Sequence, residues 1–276
     1  MKHIKVLMSG LPGKMALACA ELFAREPEFS LLPVSLTGPG VPEKTVSVGD
    51  AELSLSPPET HRQMLGDLKK EHESFIVVDY THPSAVNENA KLYTDLGVPF
   101  VMGTTGGDRK KLLEQVEGSG VPAVIAPNMA REIVGFTAMM KYAAKHFPGL
   151  FEGYSMTLVE SHQKGKADTS GTAKAMVEYF NRMGVAFDVE EIEKIRDPEV
   201  QKTRLGVPEE HLSGHGWHTY TLRSPDKTVL FSFTHNVNGR EVYARGTAEA
   251  VRFLAGRVAR GDAARVYSMI DVLEKA

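Results

Sequence analysis

The chain carries one cysteine, Cys19, in 276 residues. That excludes an intrachain disulfide and any metal site built from several thiolates, and a reducing compartment is the natural setting. No apolar run approaches the roughly 20 residues of a membrane-spanning helix. Strand-like character begins at His3, which leaves no room for a signal or transit peptide; the expectation is a cytoplasmic protein, although a trimmed plastid form would read the same. Basic charge is not in excess: 32 Lys and Arg face 35 Asp and Glu. The basic clusters at 108–111 and 257–265 have the pattern of solvated helix faces. Neither nucleic acid nor membrane is therefore expected as a partner. H-E-x-x-H and G-x-S-x-G are both absent, which argues against a zinc peptidase and an elbow-type serine hydrolase.

What is present is an alternation. Short apolar runs at 4–10, 30–36, 75–81, 98–105 and 121–128 are separated by helical patterns near 14–25, 58–72, 84–96 and 108–117. Nearly continuous Val, Ile and Leu strands interleaved with helices require a parallel sheet covered on both faces. A Rossmann-type, doubly wound α/β domain over 1–128 follows. After Asn128 a helical segment (about 129–146) leads to the strand "YSMTLVES", a polar turn, a second helix (about 171–183) and a long polar stretch. "WHTYTLRSPDKTVLFSFTH" then alternates apolar and polar residues about the turn "SPDK", the mark of an antiparallel hairpin with one wet face. A second, mixed α/β domain over 129–246 is expected, with 247–276 as a C-terminal segment.

"GLPGKMA" follows the first strand and opens the first helix. Gly10 and Gly13 suit close approach of a pyrophosphate to the helix N-terminus, with Lys14 and Met15 in its first turn. A tight turn also wants glycine, and the first member of G-x-G-x-x-G is missing, so the motif does not decide by itself. The second strand ends in "VSLTGPG" with no acidic residue to hold ribose hydroxyls. Ser35, Thr37 and Lys14 are instead candidates for a phosphate, which favours NADPH as cofactor, with NADH also accepted. "DYTHP" (Tyr80, Thr81), "GTTGG" (Gly103, Thr104, Thr105) and "APNMA" (Asn128, Met129) each follow an apolar strand and should line the carboxyl edge of the sheet.

The stretch "ESHQKGKADTSGTA" (160–173) holds more chemistry than a turn needs. His162 can exchange a proton near neutrality, Lys166 is a fixed cation, and Ser170, Gly171 and Thr172 offer hydroxyls and free N–H groups at a helix start. Together they suit an anionic substrate that must be protonated; a surface loop with a capping serine is the plainer alternative. His211, His215 and His218 have a spacing that invites zinc. Their alternation with Trp217 and Tyr220 places them on a strand and its entry instead, and no metal is assigned.

These residues resemble dihydrodipicolinate reductases nearly end to end: "SGLPGKM", "VVDYTHP", "GTTGG", "APNMA", "ESHQKGKADTSGTAKAM", "SGHGWHTYTL" and "YARGTAEAVRFLA" occur in the family's order. The form of the 160–173 motif is similar to the plant-type branch. Gln163 stands where most bacterial members have a second histidine, and Met129 where the family often has Phe. The resemblance implies hydride transfer from NAD(P)H to a cyclic dicarboxylate, with His162 as proton donor. Lys166, Ser170, Gly171 and Thr172 would bind substrate carboxylate with help from Arg240, and 247–276 would pack back on the first domain. It further implies a homo-oligomer, dimer or tetramer. Two rivals are an NADP-binding redox sensor without turnover, which has no use for His162 and Lys166, and a hydrolase using Ser170, His162 and Asp168, for which nothing presents the serine.

Overall fold

A computed structural model describes residues 3–166 and 168–275. The chain divides into two compact units, Met1–Arg131 with Glu241–Ala276, and Glu132–Arg240. The borders fall a few residues from those expected at 128 and 246. The return to the first unit already begins at Glu241, because one uninterrupted helix starts there.

The first unit runs β1 (Ile4–Ser9), α1 (Lys14–Arg25), β2 (Phe29–Leu36), β3 (Thr45–Val48), β4 (Ala51–Ser56), α2 (His61–Glu71), β5 (Ile76–Asp79), α3 (Val86–Asp95), β6 (Phe100–Met102), α4 (Arg109–Ser119) and β7 (Ala123–Ile125). The second holds α5 (Arg131–His146), β8 (Ser155–His162), α6 (Gly171–Arg182), β9 (Glu193–Ile195), α7 (Pro198–Val200), β10 (His215–Arg223) and β11 (Leu230–Asn238). The chain then completes the first unit with α8 (Glu241–Arg260), β12 (Val266–Tyr267) and α9 (Met269–Glu274).

The first unit's eight strands lie in the order β12-β7-β6-β5-β1-β2-β4-β3, parallel except for the β3–β4 pair. Its central strands are buried on both faces: Val6, Leu7, Met8, Val77, Val78, Val101 and Val124 have no exposed surface. That is the reason for their unbroken apolar sequence. The second unit's sheet has the order β11-β10-β8-β9, with β10 antiparallel to both neighbours and β9 parallel to β8. Leu158, Tyr220 and Leu222 of this sheet share a core with Ala173, Met176, Val177 and Phe180 of α6.

Gly246 of α8 lies so close to the 126–130 segment that a Cβ there would stand 1.7 Å from the Met129 carbonyl oxygen. In most helix interiors Gly→Ala stabilises by roughly 0.5–1 kcal/mol. Gly246→Ala should do the reverse, costing on the order of 2 kcal/mol through overpacking against backbone. Gly256→Ala, whose nearest neighbour is the end of the Arg260 side chain at 3.4 Å, should show the ordinary gain. Urea unfolding of the two variants tests this; equal and favourable effects would contradict the packing.

Candidate active site

In the first unit the expected cofactor residues gather at the C-terminal ends of β1, β5, β6 and β7, which are neighbours in the sheet. Gly10 has φ +116°, and a Cβ would meet the Tyr80 carbonyl oxygen at 2.2 Å, so this position demands glycine for the loop's own packing. The Gly10 N–H is bonded to Leu36 O and the Gly13 N–H to Gly10 O. Neither is available to a phosphate. The open donors are those of the first turn of α1, where Gly13 supplies no side-chain cap and Lys14 and Met15 begin the helix. Lys14 is exposed.

Ser35 and Thr37 require a correction. Both are buried, and their hydroxyls donate to backbone carbonyls, Ser35 to Leu36 O at 3.0 Å and Thr37 to Leu11 O at 2.6 Å. Buried hydroxyls must find such partners, and these two have their protons committed to backbone carbonyls. Of the three, only Lys14 is exposed.

Asp79, which the sequence reading passed over, organises this edge. Its buried carboxylate accepts from Thr81 N–H and Oγ1, Thr104 Oγ1 (2.6 Å), Tyr93 OH (2.8 Å) and Asn89 Nδ2 (3.0 Å). It thereby ties the 80–82 loop to the 103–107 loop. The Thr104 hydroxyl is committed to this knot; Thr105 is exposed. The Tyr80 ring lies against Gly103, and its hydroxyl meets Thr247 Oγ1 at 2.6 Å. Asn128 Oδ1 accepts from Ala130 N–H, and Met129 is buried.

In the second unit the register explains the site. Glu160 of β8, His218 of β10 and His235 of β11 are direct cross-strand partners. Two residues along each strand, on the same face, come His162, Gly216 and Val237. Gly216 leaves room for the His162 ring: a Cβ there would stand 3.0 Å from its Cε1. The Nδ1–H of His162 donates to the His215 carbonyl at 3.0 Å, since a carbonyl can only accept. Its Nε2 is buried with no hydrogen-bond partner among the described residues. His162 and His218 meet edge to face at 5.1 Å, and His218 stacks on His235 at 4.7 Å.

Glu160 has no exposed surface, and a buried carboxylate must be compensated. Arg196 pairs with Oε1, the Ser170 N–H donates to Oε2 at 3.1 Å, and His218 Nε2 stands 3.7 Å from Oε2. Burial alone would raise this carboxyl; His218, Arg196 and the Ser170 N–H outweigh it and hold it down at about 2. Burial, then the neighbouring His218, pushes His162 down to about 4 against the pull of Glu160. His235 is likewise pushed to about 4, first by burial. Arg196 also donates from Nε to the Lys166 carbonyl at 2.8 Å, pinning the 163–166 turn to β8. Gln201 Nε2 caps the His162 carbonyl at 2.7 Å.

The remaining expected residues are close in sequence or register. Lys166 pairs with Asp168 at 3.0 Å. The Ser170 N–H is spent on Glu160, and among the described residues the start of α6, with the Ser170 hydroxyl and the N–H groups of Gly171 and Thr172, has no side-chain cap. Arg240 follows β11, and its Nη1 would lie 3.2 Å from a Cβ at Gly214, just before β10. By register this is the sheet end that carries His162. The tempting histidine trio is split: His215 turns to the other face and is held by Ser161 Oγ and His211 O, while His218 joins Glu160 and His162, whose ligand-type atoms lie within 4.8 Å of one another. A guanidinium and a backbone N–H already occupy this carboxylate.

Glu160, Arg196, Gln201, His218 and His235 were all missed from sequence. Period-two spacing, Glu160 with His162 and His218 with Tyr220, could have found the first and fourth.

Two family models match the chain: Dihydrodipicolinate reductase, N-terminus, over residues 4–129, and Dihydrodipicolinate reductase, C-terminus, over 133–273. A 4-hydroxy-tetrahydrodipicolinate reductase 1, chloroplastic, of Arabidopsis thaliana is 47% identical, covering 99% of this chain and 78% of the relative. A 4-hydroxy-tetrahydrodipicolinate reductase of Methanothermobacter thermautotrophicus is 28% identical over 98% of each. The solved structure of a dipicolinate-bound dihydrodipicolinate reductase from Paenisporosarcina sp. shares the fold, with TM-score 0.64 at 18% identity over 96% of this chain and 97% of that one. No helix among the described residues is long and apolar enough to cross a membrane.

Because His162 and His235 lie below the ordinary value of 6.5, the unfolded chain holds more protons than the folded one between about pH 6.5 and 4. Unfolding free energy should therefore fall as pH drops through that window. Urea midpoints across the range should show this slope, and His235→Gln should flatten it; an unchanged slope in the variant would count against the burial assigned here.

Proposed function

The chain belongs to the dihydrodipicolinate reductase family, and from that premise we propose that it reduces 4-hydroxy-tetrahydrodipicolinate with a nicotinamide cofactor, an oxidoreductase step of the diaminopimelate route to lysine. The observation that carries this reading is the state of His162. Its Nδ1–H is fixed on a carbonyl and its Nε2 is unpartnered, at the sheet end where Lys166 and the uncapped start of α6 gather.

A dianionic substrate supplies what this arrangement lacks. One carboxylate binds the Gly171 and Thr172 N–H groups and the Ser170 hydroxyl at the positive end of α6. Lys166 exchanges Asp168 for substrate carboxylate, and Arg240 adds charge at the same sheet end. Negative charge beside His162 favours its imidazolium, so the Nε2–H is present when the ring needs a proton. The substrate's 4-hydroxyl leaves as water, the hydride adds to the dehydrated ring, and His162 gives the ring its proton, with Nδ1 still on the His215 carbonyl, and returns to its neutral form.

A bound nicotinamide cofactor supplies the hydride. The uncapped first turn of α1 would hold the pyrophosphate, exposed Lys14 would offer a cation to the extra phosphate of NADPH, and Thr81, Thr105 and Asn128 would border the ring at the strand ends. With no acid at the end of β2, NADPH is the preferred form and NADH a second one. Exposed Met139, Tyr142, Phe147 and Leu150 on and after α5, with Leu230 and Phe231 on β11, support self-association of the second unit.

His162→Gln should lower kcat by roughly 10²- to 10⁴-fold, the usual worth of general acid catalysis, with KM little changed. Lys166→Ala should instead raise substrate KM strongly, because its charge meets a carboxylate already present in the ground state. Steady-state kinetics with freshly generated substrate decides; near-normal kcat in His162→Gln would remove it as donor. Lys14→Ala should raise KM for NADPH much more than for NADH, since only the former carries the extra phosphate. Equal effects on both would take Lys14 out of phosphate recognition.

A further inference from the structure

We propose that Glu160 and His218 are a positioning pair that sets the charge of His162, the carboxylate favouring and the second imidazole opposing a proton on its Nε2. The proposal deepens the reading of His162 as proton donor and rests on it for its meaning in turnover.

Three observations carry it. The register puts Glu160 and His218 opposite each other on adjacent strands and His162 one step further along the same face, so the relation is fixed by the sheet and not by a mobile side chain. His218 is 4% exposed, and neither of its ring nitrogens has a hydrogen-bond partner among the described residues. Its Nε2 nevertheless stands 3.7 Å from the Glu160 carboxylate, an ion-pair distance, while its ring meets that of His162 at 5.1 Å. A buried imidazole with no hydrogen-bond partner among the described residues, at ion-pair distance from a carboxylate and edge to face with the donor histidine, is costly as plain core packing and useful as a charge regulator.

The titratable and charged groups facing His162 are Glu160 on its own strand, His218 from β10, His235 from β11 beyond it, and Arg196 after β9. Arg196 is bound to Glu160, so their charges largely offset. His218 then opposes a proton on His162 while Glu160 favours it. The free site disfavours charge on His162. Bringing in a dicarboxylate tips the balance, so the donor is loaded by the substrate it serves.

The test follows the His162 ring by histidine Cε1–H NMR titration of the intact, ligand-free protein, the resonance assigned by its loss in His162→Gln. Glu160→Gln should move the His162 titration to lower pH, and His218→Gln should move it to higher pH, each by roughly one pH unit. The basic limb of the kcat profile should shift in the same two directions. Opposite signs are what a scaffold role would not produce. Shifts of the same sign in both variants, or no shift in His218→Gln, would overturn the proposal. Should Glu160→Gln not fold, His218→Gln alone decides by the same criterion. Because the titration is read without turnover, a His162→Gln enzyme that keeps its kcat would defeat the donor assignment while leaving the electrostatic result to stand or fall separately.

Discussion

A single buried carboxylate holds the second unit's site together. Glu160 has no exposed surface, so its charge must be met from inside, and each group that meets it is thereby placed. Arg196 reaches it and in doing so pins the turn that carries Lys166. The Ser170 N–H reaches it from just before α6, which fixes where that helix starts and hence where its uncapped donors point. His218 is drawn to it across the strand pair, beside His162. The start of α6, Lys166 and His162 thus share one electrostatic anchor.

The first unit uses the same device with neutral partners. Asp79 collects hydroxyl, amide and backbone donors from two loops and from α3, so the strand-end segments that would border a nicotinamide are rigid before anything binds. In both units an acid at or near the end of a strand, and not the glycines that first catch the eye, gives the loops their shape. Gly10 fits this view: its close approach is to the Tyr80 carbonyl, within the protein.

Much of this was legible in the sequence because it is local. The unbroken apolar runs became β1, β5, β6 and β7, and the alternation about "SPDK" became β10 and β11. His162, Lys166 and Ser170–Thr172 were singled out because they lie within a dozen residues. What escaped was non-local or directional. β3 and β4 alternate apolar and polar residues over only four and six positions and were passed over, and β9 is three residues inside a polar stretch. The Glu160–His218–His235 row exists only once three strands are in register. Ser35 and Thr37 were misjudged because residue type does not say which way a hydroxyl turns, and both had a carbonyl to satisfy inside.

The first unit is built from chain on both sides of the second, with β12 beside β7 and α8 closing against the 126–130 segment. During synthesis this sets an order of assembly. The continuous stretch from Glu132 to Arg240 contains everything its sheet needs as soon as it has left the ribosome, whereas the segment that emerged first must wait for residues beyond 240 before its sheet has its last strand. The half of the protein made first is therefore completed last, and until then the outer edge of β7 stands unpaired, the kind of strand edge that nascent-chain chaperones exist to shield.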